Sequence, residues 1–213
     1  MILLLDLDST LVAEEGCNTL AQWKWVGDQV ARITQQTMDG TMDFNTAFPQ
    51  KLELIRPSYQ DLDKLGEFLL DYVSEDWKQV VALLQSQGVK IGILSQGYTR
   101  SSLPVAQLLN IDPEWIFALH FHHAEDGRYQ WLDMTQDLMY YDGKRKVIQK
   151  LRESYPDETI VFSWDSLWDY ESGQIADVFI AYAGVIARPK VTAIAEHIAY
   201  SPQELYDYIK SLL

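Results

Sequence analysis

The sequence predicts an α/β fold: a mostly parallel sheet with helices on both faces, plus a small helical cap inserted after the first strand. Three observations carry this. Short apolar runs that stop in polar clusters recur along the chain. Amphipathic helical patterns lie between them, as strands joined by crossover helices require. Residues 14–75, between the first and second runs, show helical periodicity only. The expected division is a core of 1–13 and 76–213 and a cap of 14–75.

Ile2-Leu3-Leu4-Leu5 is an apolar run stopped by Asp6-Leu7-Asp8-Ser9-Thr10, which reads as a buried strand. In the cap, Leu20, Trp23, Val26, Val30 and Ile33 give one helix over Asn18 to Thr37. Two more helical stretches follow, around Asn45 to Ile55 and Ser58 to Tyr72, separated by Pro57. Asp76 to Gln87 carries Trp77, Val80, Val81 and Leu84 on one face. The second strand, Val89 to Leu94, ends in Ser95-Gln96-Gly97. A hairpin is expected around Leu119 to Asp133, with Asp126-Gly127 as its turn. After a helix over Lys146 to Leu151, a third strand, Thr159 to Phe162, ends in Ser163-Trp164-Asp165. Asp177 to Tyr182 is the fourth strand. Pro202 to Leu213 is a last helix, with Ser201 as N-cap and Pro202 in its first turn.

Composition narrows the function. Hydrophobic residues are 47% and charged residues 23%, a globular mix. Seventeen basic against 31 acidic residues leave a net charge of -14, so neither nucleic acid nor an anionic membrane surface is an expected partner. The apolar run Val178 to Ala187 is far short of the roughly 20 residues a membrane helix needs. One cysteine, Cys17, leaves no internal disulfide or Cys-rich zinc site, and no basic region precedes the first apolar run. A cytoplasmic protein is expected. Monomer and homodimer both stay open.

In a parallel sheet, ligands bind outside the carboxyl ends of the strands. Asp6, Asp8, Ser95, Asp165 and Asp169 all fall at that edge. Asp-x-Asp after a strand is also a common solvated turn, and Asp165 and Asp169 can cap the next helix. Together, however, carboxylates without His or Cys suit Mg²⁺ shared with a phosphate. Ser95 and Lys144 can hold the remaining phosphate oxygens. Such a set serves phosphoryl transfer: a nucleophile, a metal and positive charge on the equatorial oxygens.

Asp6-Leu7-Asp8-Ser9-Thr10, Ser95, Lys144 and Asp165-Ser166-Leu167-Trp168-Asp169, in that order, resemble the four motifs of the haloacid dehalogenase superfamily of phosphatases. Leu11-Val12 with Glu15, Ile33-Thr34 through Met38-Asp39-Gly40, and Asp43-Phe44 extend the likeness to its phosphoserine phosphatase family over nearly the whole chain. The resemblance implies a Rossmann-like three-layer core and hydrolysis of a small phosphorylated metabolite. Asp6 would be the nucleophile, forming an aspartyl-phosphate and pairing with Lys144. Asp8 would protonate the leaving alcohol and then activate water. Mg²⁺ would sit on Asp6, the Asp8 carbonyl and Asp165, with Asp169 close by. Ser95 and Lys144 would grip the phosphoryl group. Glu15 would meet the substrate amino group, and Met38 and Phe44 would wall the pocket.

The sequence departs from that pattern around the pocket. Lys51 stands where the family has a carboxylate-reading Arg, and it offers charge without a bidentate fork. Gln96 replaces a Gly where substrate approaches bare backbone, so it is a candidate substrate contact. Trp164 and Trp168 replace a Gly and an Asn in the metal loop; they would narrow the site, stack on a flat substrate, or simply pack a partner surface. Arg145 follows Lys144 where a Gly is common. Three readings result: a phosphoserine phosphatase, a phosphatase for another small phosphomonoester, and a non-catalytic binding protein on the same scaffold.

Overall fold

The computed structural model describes residues 1–167, 170 and 174–213. Six strands form one parallel sheet in the order β3-β2-β1-β6-β7-β8. They are β1 (Ile2–Leu5), β2 (Lys90–Tyr98), β3 (Ile116–Leu119), β6 (Ile160–Trp164), β7 (Val178–Tyr182) and β8 (His197–Ala199). β1 is central, pairing Leu5 with Ile93 of β2 and with Ser163 of β6. Every side chain of β1 is buried, which is why its sequence is apolar without alternation. Helices α5 (Glu75–Ser86), α6 (Thr99–Leu108) and α7 (Gly143–Ser154), with a C-terminal helix, Pro202–Lys210, join or flank the strands.

Four helices lie between β1 and α5: α1 (Gly16–Trp23), α2 (Gly27–Met38), α3 (Phe44–Ile55) and α4 (Tyr59–Leu70). The single helix expected over Asn18 to Thr37 is corrected by the structure into α1 and α2. Trp25 takes a left-handed φ of 59° between them and stands 94% exposed. The 3–4 spacing of Leu20, Trp23, Val26 and Val30 runs through the break because hydrophobic period alone does not report a reversal of φ. The α3–α4 boundary falls at Arg56 and Pro57, with φ 44° at Arg56 and a Ser58–Asp61 capping box opening α4.

The expected hairpin forms as β4 (Phe121–His123) and β5 (Tyr129–Leu132), turning at Gly127 with φ 81°. It reaches the helical insertion: the Tyr59 N–H donates to the Gly127 carbonyl at 2.9 Å, and Tyr129 hydrogen-bonds Glu53. α4 and α6 cross where Gly66 lets Pro104 approach; a Cβ at Gly66 would lie 2.8 Å from Pro104 Cγ. Arg100 on α6 grips Asp63 on α4 through Nε and Nη2. β3, β8 and α6 carry no element in the sequence reading. β3 and β8 are short, and α6 carries Pro104 within its span. Among the described residues, no helix is long and apolar enough to cross a membrane.

Candidate active site

The register of the three central strands sets the site. Asp6, Ser95 and Asp165 follow paired positions of β1, β2 and β6, so they emerge at one carboxyl edge. The Asp6 N–H donates to the Ser163 carbonyl at 3.1 Å, holding the chain to β6 just as the strand ends. Beyond it a tight turn forms: Val12 N–H reaches the Leu7 carbonyl at 3.0 Å, and Ser9 adopts a left-handed φ of 53°. Within this turn Asp8 bridges to Val12.

Asp6 is buried. Its Oδ1 accepts the Leu7 N–H at 2.7 Å and its Oδ2 accepts from Lys144 Nζ at 2.6 Å. Lys144 is 4% exposed and opens α7, where Gly143 brings the helix start against a 3₁₀ turn, Asp137–Met139. A Cβ at Gly143 would lie 2.3 Å from the Asp137 carbonyl oxygen, so glycine is required. Ser95 is buried, and its Oγ accepts the Gly97 N–H at 2.9 Å, leaving the hydroxyl proton for a ligand.

Asp8 accepts the Gly16 N–H at 3.1 Å. Burial first, then the Glu15 and Asp165 carboxylates, push its carboxyl up to about 8 against the Gly16 N–H and the Lys144 ammonium. That places Asp8 within electrostatic reach of both Asp165 and Lys144. Asp165 is buried and bound by Arg188, whose Nε and Nη2 both lie 3.1 Å from Oδ2. Arg188 Nη2 also approaches Glu15 Oε1 at 3.5 Å, and Glu15 accepts from Ser9 Oγ at 2.7 Å. The sequence reading assigned Arg188 no role. Its signal was an Arg beyond the fourth strand, near the same edge.

The expected pocket residues fall in different places. Lys51, half-buried on α3, holds its Nζ 5.8 Å from the Phe48 ring centroid, and its charge lowers the Cys17 thiol pKa against the burial that raises it. Phe44 stacks on Phe48 and meets the Tyr141 ring edge at 6.0 Å. Met38, at the end of α2, is 71% exposed. Gln96 donates to the Leu138 and Tyr140 carbonyls. Trp164 is buried and stacks on Phe179 at 4.4 Å and 3°, so of the three roles open to it the structure shows packing against β7. Trp168 and Asp169 lie outside the described residues.

Carboxylate and carbonyl oxygens at this edge are the donors a hard divalent cation takes. Among the described residues, no three acidic, His or Cys side chains stand close enough together to hold a metal. The buried Asp165 nonetheless takes a cationic partner in Arg188, and Asp6 takes one in Lys144. By donor type, these oxygens suit a hard cation such as Mg²⁺.

The model of the haloacid dehalogenase-like hydrolases matches residues 1–177. A phosphoserine phosphatase of Bos taurus is 34% identical over 191 residues, covering 90% of this chain and 85% of that one. A phosphoserine phosphohydrolase-like protein from Francisella tularensis superposes with a TM-score of 0.77 at 25% identity, covering 97% and 98% of the two chains. A phospho-aspartyl intermediate analogue of phosphoserine phosphatase superposes at 0.79 with 20% identity over 97% of each chain, a likeness of fold.

Proposed function

The chain belongs to the haloacid dehalogenase-like hydrolases, and on that premise we propose that it is a Mg²⁺-dependent phosphoserine phosphatase working through an aspartyl-phosphate. The observation that carries this is the buried Asp6–Lys144 pair at the sheet's carboxyl edge. An Asp6 oxygen attacks phosphorus, and the phosphorus–oxygen bond to serine breaks. Asp8, whose carboxyl is pushed up to about 8, gives its proton to the departing alkoxide. Water then attacks the aspartyl-phosphate, Asp8 takes its proton, and phosphate leaves Asp6 as a free carboxylate. Lys144 and Ser95 hold the phosphoryl oxygens throughout. Bound Mg²⁺, held by Asp6, the Asp8 carbonyl and Asp165 with Asp169, supplies charge neutralisation at the phosphoryl oxygens.

Residues 14–75 act as the cap that shields the reaction from water. Glu15 and Lys51 take the amino and carboxylate groups of the substrate, and Phe44, Met38 and Trp168 complete the pocket as the cap settles. Lys51 in place of an Arg favours a second reading, a different small phosphomonoester as substrate.

Phosphate release from a panel of small phosphomonoesters with Mg²⁺ tests the proposal. Selective turnover of O-phosphoserine, abolished in Asp6→Asn, is expected. Turnover of other esters with phosphoserine ignored moves the protein to the second reading. No turnover of any ester returns it to the non-catalytic one.

A further inference from the structure

Gln96 occupies a position where the sequence suggests a substrate contact, yet its amide is otherwise engaged. Nε2 donates to the carbonyl oxygens of Leu138 and Tyr140, each at 3.1 Å. A primary amide has two N–H donors, and both are used here. The two carbonyls belong to a strap, residues 137–143, that leads directly into Lys144. Within it Leu138 and Met139 are buried, and Asp137 pairs with Lys150 on α7. From the other side, Asn45 in the first turn of α3 accepts the Tyr141 N–H on Oδ1 at 2.8 Å. The strap is thus pinned to β2 through Gln96 and to the helical insertion through Asn45.

We infer that Gln96 and Asn45 are positioning residues for Lys144, acting through the 137–143 strap. Gln96 fixes the height of the ammonium over Asp6, and Asn45 ties that height to the placement of α3. Lys144 holds a short charge-assisted hydrogen bond to Asp6, at 2.6 Å, and a shift of the strap would stretch it. The inference rests on the reading of Lys144 as the phosphoryl-holding group.

Gln96→Met keeps side-chain volume and removes both donors; Asn45→Ala removes the acceptor at an exposed position. These variants and their double would be compared in two ways, with Lys144→Ala as the control in the second. The first is acetic anhydride labelling read by mass spectrometry, with Lys144 referenced to the exposed Lys210. The second is kcat and KM for O-phosphoserine and for p-nitrophenyl phosphate. Lys144 labelling is expected to rise at least threefold in Gln96→Met. Its kcat should fall roughly tenfold on both esters alike, since a misplaced group loses rate whatever the leaving alcohol. In the double variant the two losses should be less than multiplicative, because one strap is released once. Unchanged labelling with kcat within about twofold of wild type overturns the inference. So does a rise in KM confined to phosphoserine, which would make Gln96 a substrate contact. If Lys144 labelling rises while the wild type hydrolyses no ester, the strap stands and the proposed function falls. If Gln96→Met does not fold, the same readouts on Asn45→Ala decide.

Discussion

Asp8 and Arg188 carry the electrostatics of the site in opposite ways. Asp8 is held neutral: its carboxyl, about 8 in the fold, ionises near 3.8 in an unfolded chain. Between those values the folded state keeps a proton the unfolded state has lost, so this group's contribution to stability falls as pH rises from about 4 to about 8. Asp8→Asn removes that dependence. In chelator, its melting temperature should exceed that of wild type by more at pH 8 than at pH 5, which a pair of calorimetric scans would show. Equal gains at both pH values would remove the elevated carboxyl from the account. Arg188 instead sets a positive charge against the buried Asp165, pairing with it at 3.1 Å. Arg188→Gln leaves a buried carboxylate without that partner. The expected loss in chelator is about 1–2 kcal/mol, well below the full figure for a buried pair because Arg188 is itself partly exposed. Saturating Mg²⁺ should recover most of it, and the gap in melting temperature between chelator and Mg²⁺ should widen relative to wild type.

Two close approaches between elements depend on glycine. At Gly66, α4 meets α6 with Pro104 Cγ 2.8 Å from where a Cβ would stand, and Pro104 is a rigid ring that cannot swing aside. Gly66→Ala should cost about 1–3 kcal/mol in urea unfolding and loosen α4 from α6. At Gly143 the obstruction is backbone, the Asp137 carbonyl at 2.3 Å, so the whole start of α7 must move. Gly143→Ala should therefore lower kcat by at least tenfold, because the shift is delivered to Lys144, the next residue. The same substitution at Gly88, where a Cβ meets nothing and φ is 84°, strains only a turn and should leave kcat within about twofold.

At the scale of the whole molecule, a net charge of -14 opposes the approach of a phosphate dianion. Lys144 is committed to Asp6 and Arg188 to Asp165, so neither offers its full charge to an incoming anion. Bound Mg²⁺ would add positive charge at this edge and offset the carboxylates that face an incoming phosphate. Affinity for inorganic phosphate should then collapse in chelator and return with Mg²⁺, measured by calorimetry at fixed ionic strength. Phosphate affinity unchanged in chelator would mean that the protein's own cations suffice.

Much of this was legible in the chain itself. Strand positions were marked by apolar runs that stop at Asp6, Ser95 and Asp165, because a fully buried strand is continuously apolar, although β2 runs on through Ser95 to Tyr98. The order of those ends, with Lys144, sufficed to suggest phosphoryl transfer. Other features belong to no local segment. The α1–α2 break depends on one backbone angle at Trp25, and β3 and β8 are short enough to be defined only by the neighbours that complete their ladders. Gln96 looked like a substrate contact by its place beside Ser95, and only the packing of β2 against the 137–143 strap showed where its amide goes. Arg188 reaches Asp165 and Glu15 across 23 and 173 residues of sequence, so no periodicity could register it. Sequence determined which groups exist and which chain ends they mark, because burial and turn chemistry act over a few residues. Tertiary structure decided which charges meet, because that depends on distances set by the whole sheet.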